Sequence, residues 1–217
     1  VKQPTHYEVR RGDTLYSIAW RFQLDPHGLA RANAIAPPYT IFPGQGLRLV
    51  NQLAAGQRVL RPRAQAPKPT QAQRSSVPQP RPSSVPKATP RSTVTSWTWP
   101  LSAAPSREFS RTSKGIDFAQ VDGDGPDRSV RAAGAGEVVY SGNGIGGFER
   151  LVIIKHTQSL LTAYSFDGGL QVSEGAKVKA GEPVADIKAT GRSRSRLHFE
   201  LRRDGQPIDP RSVLPKR

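Results

Sequence analysis

The run Ser195-Arg196-Leu197-His198-Phe199-Glu200-Leu201 places polar, titratable groups at alternate positions of an otherwise apolar segment. That period of two is the pattern of a β-strand with one apolar face. Arg196 and His198 therefore point to the same side, one pleat apart. A polar pair on one face of a core-like strand marks a site, and an imidazole can serve there as metal ligand or proton carrier. Ser113 and Asp117 complete the residue types of a Ser-His-Asp triad. No nucleophile elbow or oxyanion-hole pattern surrounds them, so the triad is a weak reading. With Cys 0, a thiol nucleophile and a Cys-ligated zinc are both excluded. The stretch Asp122-Gly123-Asp124-Gly125 has the start of a calcium loop but lacks its later ligands and terminal Glu, and reads as a glycine-rich turn. His156 is read as structural, packed under a sheet, and His6 and His27 as isolated surface residues.

The elements that must position these groups follow from composition and pattern. The chain has 217 residues, enough for one large or two small domains. Hydrophobic residues make up 35% and mean hydropathy is -0.53, so part of the chain is expected to be unfolded. A net charge of +15 calls for an anionic partner: nucleic acid, a lipid surface or an acidic cell-wall polymer. No apolar run approaches a membrane span. The chain begins at Val1 and has Met 0, from which a signal peptide or lipid-bearing N-terminal cysteine is expected to be missing.

Residues 1–50 read as a small α/β unit, strand, two helices and strand. Tyr7-Glu8-Val9-Arg10 alternates as a strand, and Gly12-Asp13-Thr14 turns the chain and caps a helix carrying Leu15, Ile18, Ala19 and Phe22. Asp25-Pro26 opens a second helix ending near Asn33, and Leu47-Arg48-Leu49-Val50 returns as a strand. The segment resembles a LysM domain through Tyr7-x-Val9, Gly12-Asp13-Thr14-Leu15-x-x-Ile18-Ala19, Asn33-x-Ile35 and Ile41-x-Pro43-Gly44-Gln45-x-Leu47. The resemblance implies binding of N-acetylglucosamine-containing glycans such as peptidoglycan. The groove would lie between Gly12, Asp13, Thr14 and Leu15 on one side and the loop from Pro37 to Ile41 on the other. The plainer reading makes these only cap and turn residues, and the two are compatible.

Residues 51–95 are rich in Pro, Ser, Gln, Ala and Thr, and no acidic residue occurs from Asn51 to Arg107. Such a composition buries too little apolar surface to offset chain entropy, so a semi-extended linker is expected. Residues 96–217 carry short β-branched runs separated by glycine and no helical period, which reads as an all-β sandwich or open barrel entered by Trp97-Thr98-Trp99-Pro100 along a surface groove.

This second domain resembles the LytM, or lysostaphin-type, zinc metallopeptidase family. The resemblance rests on Ser113-Lys114-Gly115-Ile116-Asp117 against His-x-Gly-x-Asp and on Val130-x-Ala132 with Gly136-x-Val138. It rests also on the glycine-rich turn from Gly142 to Phe148, Val172-x-x-Gly175-x-x-Val178-x-x-Gly181, and Arg196-Leu197-His198 against His-x-His. The family's zinc is held by a His, an Asp and the second His of His-x-His, which fall here on Ser113, Asp117 and His198. The two assisting histidines fall on Phe166, in the segment Ala163-Tyr164-Ser165-Phe166, and on Arg196. One ligand is lost, and neither Phe nor Arg can carry a proton near neutral pH. A guanidinium about 5 Å from a divalent ion, at an effective dielectric near 20, is repelled by roughly 6 kcal/mol. The expectation is no zinc, no cofactor and no hydrolysis, with Arg196 neutralising Asp117 directly.

A LysM module, a Pro-rich linker and a degenerate LytM domain together resemble the NlpD-type activators of bacterial cell-wall amidases. The resemblance implies a periplasmic outer-membrane lipoprotein at the division septum, whose partner is a zinc-dependent N-acetylmuramoyl-L-alanine amidase held inactive by its own helix. The partner surface would comprise Ser113, Asp117, Tyr164, Phe166, Arg196 and His198, with Phe166 supplying apolar area and Arg196 a carboxylate fork. A monomer is expected, touching membrane only through the missing N-terminal lipid. The rivals are a weak zinc endopeptidase of peptidoglycan and a pure peptidoglycan-binding scaffold. A nucleic-acid binder has no aromatic-basic platform and ranks last.

Overall fold

The computed structural model describes residues 4–50, 96–118, 128–143, 149–187 and 197–217. The expected linker, the Asp122 to Gly125 turn, most of the Gly142 to Phe148 turn and Arg196 lie outside the described residues.

In the first module, β1 (His6–Glu8) pairs antiparallel with β2 (Gly46–Arg48), Tyr7 standing opposite Leu47. Both strands are shorter than the alternation suggests and start one residue earlier. Helix α1 (Leu15–Phe22) begins at Thr14, whose hydroxyl accepts from the Ser17 N–H at 3.1 Å, while the Ser17 hydroxyl accepts from the Thr14 N–H at 3.0 Å. This is a capping box with a serine doing the work usually given to Glu or Gln. Helix α2 (Pro26–Ala32) opens on the Asp25 carboxylate, which accepts from the His27 and Gly28 N–H groups, with Pro26 in the first turn. Asn33 ties this helix to the sheet, because its side chain donates to the Leu29 and Arg48 carbonyls and accepts from the Arg48 N–H at 2.7 Å. Val9, Leu15, Ile18, Leu24, Leu29 and Leu47 form the module's core.

The second module is built of antiparallel strands in two sheets. The larger has the order β12 (Gln206–Ile208), β11 (Leu197–Arg203), β7 (Leu160–Phe166), β6 (Arg150–Lys155), β5 (Gly136–Asn143), β9 (Lys177–Val178), with β3 (Ile116–Phe118) paired to β11. The smaller runs β4 (Ser129–Arg131), β10 (Pro183–Ile187), β8 (Gly168–Leu170). The main core fills the space between them, Val130, Val184 and Ala185 from the small sheet meeting Val152, Ile154, Tyr164, Phe166 and Phe199 from the large one. Trp99 does not lie in a surface groove as the sequence suggested. It is 9% exposed, belongs to this core and donates its indole N–H to the Pro215 carbonyl at 2.9 Å.

The opposite face of the large sheet is also covered. Tyr140, Leu151, Ile153, Leu161 and Ala163 pack there with Tyr16, Trp20 and Tyr39 of the first module. The two modules thus belong to one compact unit. Every position of β7 is buried, with Tyr164 and Phe166 in the inner core and Leu161 and Ala163 on the junction. Polar contacts lock the junction. Arg202 donates to the Trp20 carbonyl at 3.0 Å and lies 5.1 Å from the Trp20 ring. His27, expected to stand alone on the surface, bonds the Tyr39 hydroxyl at 2.9 Å and the Gln158 carbonyl of the second module at 2.6 Å. Its partner is distant in sequence, which is why no local pattern announced it.

His156 is buried, as its sequence context implied, between the Ala135 carbonyl at 2.8 Å and the Thr162 hydroxyl at 2.8 Å. Burial pulls its pKa down to about 4, the bond to Ala135 opposing only in part. Unfolding therefore takes up a proton at this residue between the ordinary histidine range and pH 4. Its contribution is complete above about pH 6.5 and is lost progressively as pH falls, by roughly 3 kcal/mol in all. Urea unfolding at a series of pH values should show a His156→Gln variant with a shallower acid slope than the parent; equal slopes would exclude this assignment.

Candidate functional site

Strand β3 lies beside β11 in a register that puts Asp117 opposite His198 and Ile116 opposite Phe199. Gly115 permits the approach, since a Cβ there would sit 2.5 Å from the Phe199 carbonyl oxygen and 2.9 Å from the His198 ring. The Asp117 carboxylate meets His198 Nδ1 at 2.5 Å, and His198 Nε2 lies 3.1 Å from Glu200 Oε1. Glu200 in turn accepts from Arg202 Nε and Nη2, both at 2.6 Å. On the other flank Arg107 Nε stands 3.3 Å from Asp117 Oδ2. The result is a row of alternating charge, Arg107, Asp117, His198, Glu200, Arg202, whose last member holds the Trp20 carbonyl of the first module. Burial works against a charged His198, but hydrogen bonds to Glu200 and Asp117, reinforced by their charges, outweigh it and raise its pKa. Burial likewise disfavours a charged Glu200, and there the His198 bond and the Arg202 charge win and keep its pKa low. Both ring nitrogens are thus engaged with carboxylates, which favour the charged form of the ring relative to a free imidazole.

The other expected members of this site sit differently. Ser113 is a turn residue: its hydroxyl accepts from the Ser110 N–H at 2.9 Å and lies 3.1 Å from the Glu108 and Gly115 carbonyls. Tyr164 and Phe166 are 0% exposed and belong to the inner core, the Tyr164 hydroxyl accepting from the Ala133 N–H at 2.7 Å. The apolar area expected of Phe166 is therefore spent inside the fold. Among the described residues, the cation beside Asp117 is Arg107, which the sequence did not suggest because it lies in an irregular segment bridged to Asp117 through backbone. No group of three or more His, Cys, Asp or Glu arranged to hold a metal occurs among the described residues. Glu200 and Arg202 were also missed as site residues, although they continue the same stripe as His198.

A second feature lies between the modules. Asp13, Thr14, Leu15, Pro37 and Ile41 do border one cleft of about 410 Å³, together with Tyr16 and Tyr39. Its opposite wall comes from the second module: Glu137, Lys155 and Glu174. Gly12 (φ +81) shapes the turn before it. Two of the bordering side chains are already committed. The Leu15 side chain is 2% exposed in the LysM core, and the Asp13 carboxylate accepts from the Tyr7 hydroxyl at 2.7 Å and the Arg10 N–H at 2.9 Å.

Residues 7–50 match the LysM domain and residues 111–210 match peptidase family M23. The "Lipoprotein NlpD/LppB homolog" of Pseudomonas aeruginosa is 42% identical over 97% of this chain and 77% of that protein. The "Murein hydrolase activator NlpD" of Escherichia coli is 33% identical over 97% of this chain and 68% of that protein. Among solved structures, lysostaphin from Staphylococcus simulans aligns with TM-score 0.45 and 21% identity, covering 55% of this chain and 52% of its own. A LysM module with an M23-type β domain, shared at this identity along nearly the whole chain, places the protein in the NlpD/LppB lipoprotein family.

Proposed function

We propose that this chain is a non-catalytic, peptidoglycan-bound activator of periplasmic N-acetylmuramoyl-L-alanine amidases at the septum, tethered to the outer membrane by an N-terminal lipid. The observation that carries the reading is the clamping of His198: both ring nitrogens face carboxylates, at 2.5 and 3.1 Å. A metal ligated by either nitrogen would have to displace the carboxylate that now faces it. Asp117 is shared with Arg107 and Ser113 is tied into its own turn, so the three positions do not fit a zinc ion. The names of the relatives, murein hydrolase activators, support a regulator over a hydrolase. Ser113, Asp117 and His198, joined by Arg107, form the surface offered to the amidase, and Arg196 is assigned to the same partner from its place in the sequence alone. An activator of this kind works through higher affinity for the amidase's open state than for its closed one.

The test is dye release from labelled sacculi by a purified amidase, with and without the protein, alongside metal analysis of the protein itself. Stimulated release by the parent, lost in Arg196→Glu, with no zinc bound, is the expected outcome. Stoichiometric zinc and cut cross-links in the absence of amidase would establish the endopeptidase instead, and unaltered amidase turnover would leave a scaffold.

A further inference from the structure

We propose that the cleft between the modules is a composite saccharide site, in which the second module supplies Glu137, Lys155 and Glu174 and an occupying glycan strand clamps the two modules together. The inference rests on the glycan-binding reading of the LysM module and extends it to residues outside that module. The cleft volume, about 410 Å³, is in the range of small-ligand sites. Its LysM wall presents Pro37 and Tyr39, whose ring meets that of the buried Tyr16 edge to face at 6.3 Å. Such surfaces suit the apolar faces of a pyranose. The facing wall is polar. Glu137 and Lys155 are direct cross-strand neighbours, paired at 3.1 Å and still 45% and 30% exposed. Glu174 stands on the adjoining loop, bonded only at the 3.5 Å limit to the Ser141 N–H.

Carboxylates accept from sugar hydroxyls, and the ammonium donates to a ring or acyl oxygen. Tyr16 gives an independent sign of an absent partner. It is 7% exposed, lines the cleft, and its buried hydroxyl has no hydrogen-bond partner among the described residues. A buried orphan hydroxyl is costly and calls for an explanation. An acceptor arriving with a saccharide supplies one. Lys155 lies 5.7 Å from the same ring, so ring, cation and carboxylate converge on one place.

The probe is tetra-N-acetylchitotetraose, titrated calorimetrically into the full chain. Glu137→Ala and Glu174→Ala are each expected to weaken binding about tenfold, the loss of one charged hydrogen bond, while leaving the melting temperature within a few degrees. The hydrogen bond of Glu174 is to Ser141 of its own module, so its variant removes a cleft carboxylate without breaking a hydrogen bond across the junction, and separates saccharide contact from loosened docking. Parent-like affinity in both variants would overturn the composite site and leave the LysM reading standing. Failure of the parent itself to bind would overturn both.

Discussion

Replacing Gly205 with asparagine or valine is expected to lift the LysM module off the second module without unfolding either. Gly205 forms, with Asp204, the turn between β11 and β12; both residues have positive φ, +77 and +50. This is the backbone of a tight two-residue hairpin loop. A Cβ at Gly205 would lie 2.4 Å from the Leu24 carbonyl oxygen and 2.5 Å from the Asp25 nitrogen. Both obstacles are backbone atoms at the α1–α2 connection, held by the Asp25 cap, and cannot swing aside as a side chain would. Valine adds strain at positive φ to this collision, whereas asparagine tolerates the left-handed region and isolates the collision. The cost falls on the junction, by about 2 kcal/mol or more. Hydrogen exchange should then open at Tyr16 and Ile153 and the radius of gyration should rise, with both cores still protected. Unchanged exchange in both variants would mean that the turn yields and the junction does not depend on it.

The largest loss of stability is expected from Glu200. Its side chain is 7% exposed and is the shared counter-charge of His198 and of Arg202, itself 4% exposed. Glu200→Ala leaves a buried guanidinium with the Trp20 carbonyl in place of a carboxylate, an arrangement that costs about 3–5 kcal/mol. Glu200→Gln keeps an acceptor and should lose less. The double replacement Glu200→Leu with Arg202→Met removes the charge problem at its source and should recover much of the loss. Denaturant midpoints of the three variants decide the matter; a single variant no less stable than the double would show that the buried pair is not what the fold depends on.

What the sequence disclosed of this molecule tracks how local each determinant is. The LysM helices were legible because their caps are written within four residues, Thr14 with Ser17 and Asp25 with Pro26. The central strands β5 to β7 and β11 were legible from β-branched runs and alternation. The strands β3, β8 and β12 have 3 residues each, too few to show a period; β3 moreover owes its pairing to β11, far along the chain, while β12 is joined to β11 by a tight turn. Tyr164 and Phe166 are placed at the site by the resemblance alone, and β7, Leu-Leu-Thr-Ala-Tyr-Ser-Phe, has no polar face that would have told against it; both are buried. The pairing of Asp117 with His198 could be anticipated only in part, since alternation oriented His198 but the register with β3 is a tertiary fact. The buried role of Arg202 was hidden altogether, because its cover comes from Trp20, 182 positions away.

The double burial of β7 has a practical side. Cutting the chain before Ser96 strips the cover from Tyr140, Leu151, Ile153, Leu161 and Ala163 at one stroke. The excised β domain would carry a bare hydrophobic plate with a stranded guanidinium at its margin, a surface prone to self-association and to promiscuous adhesion. A pull-down made with that fragment would sample stickiness that the intact chain keeps hidden.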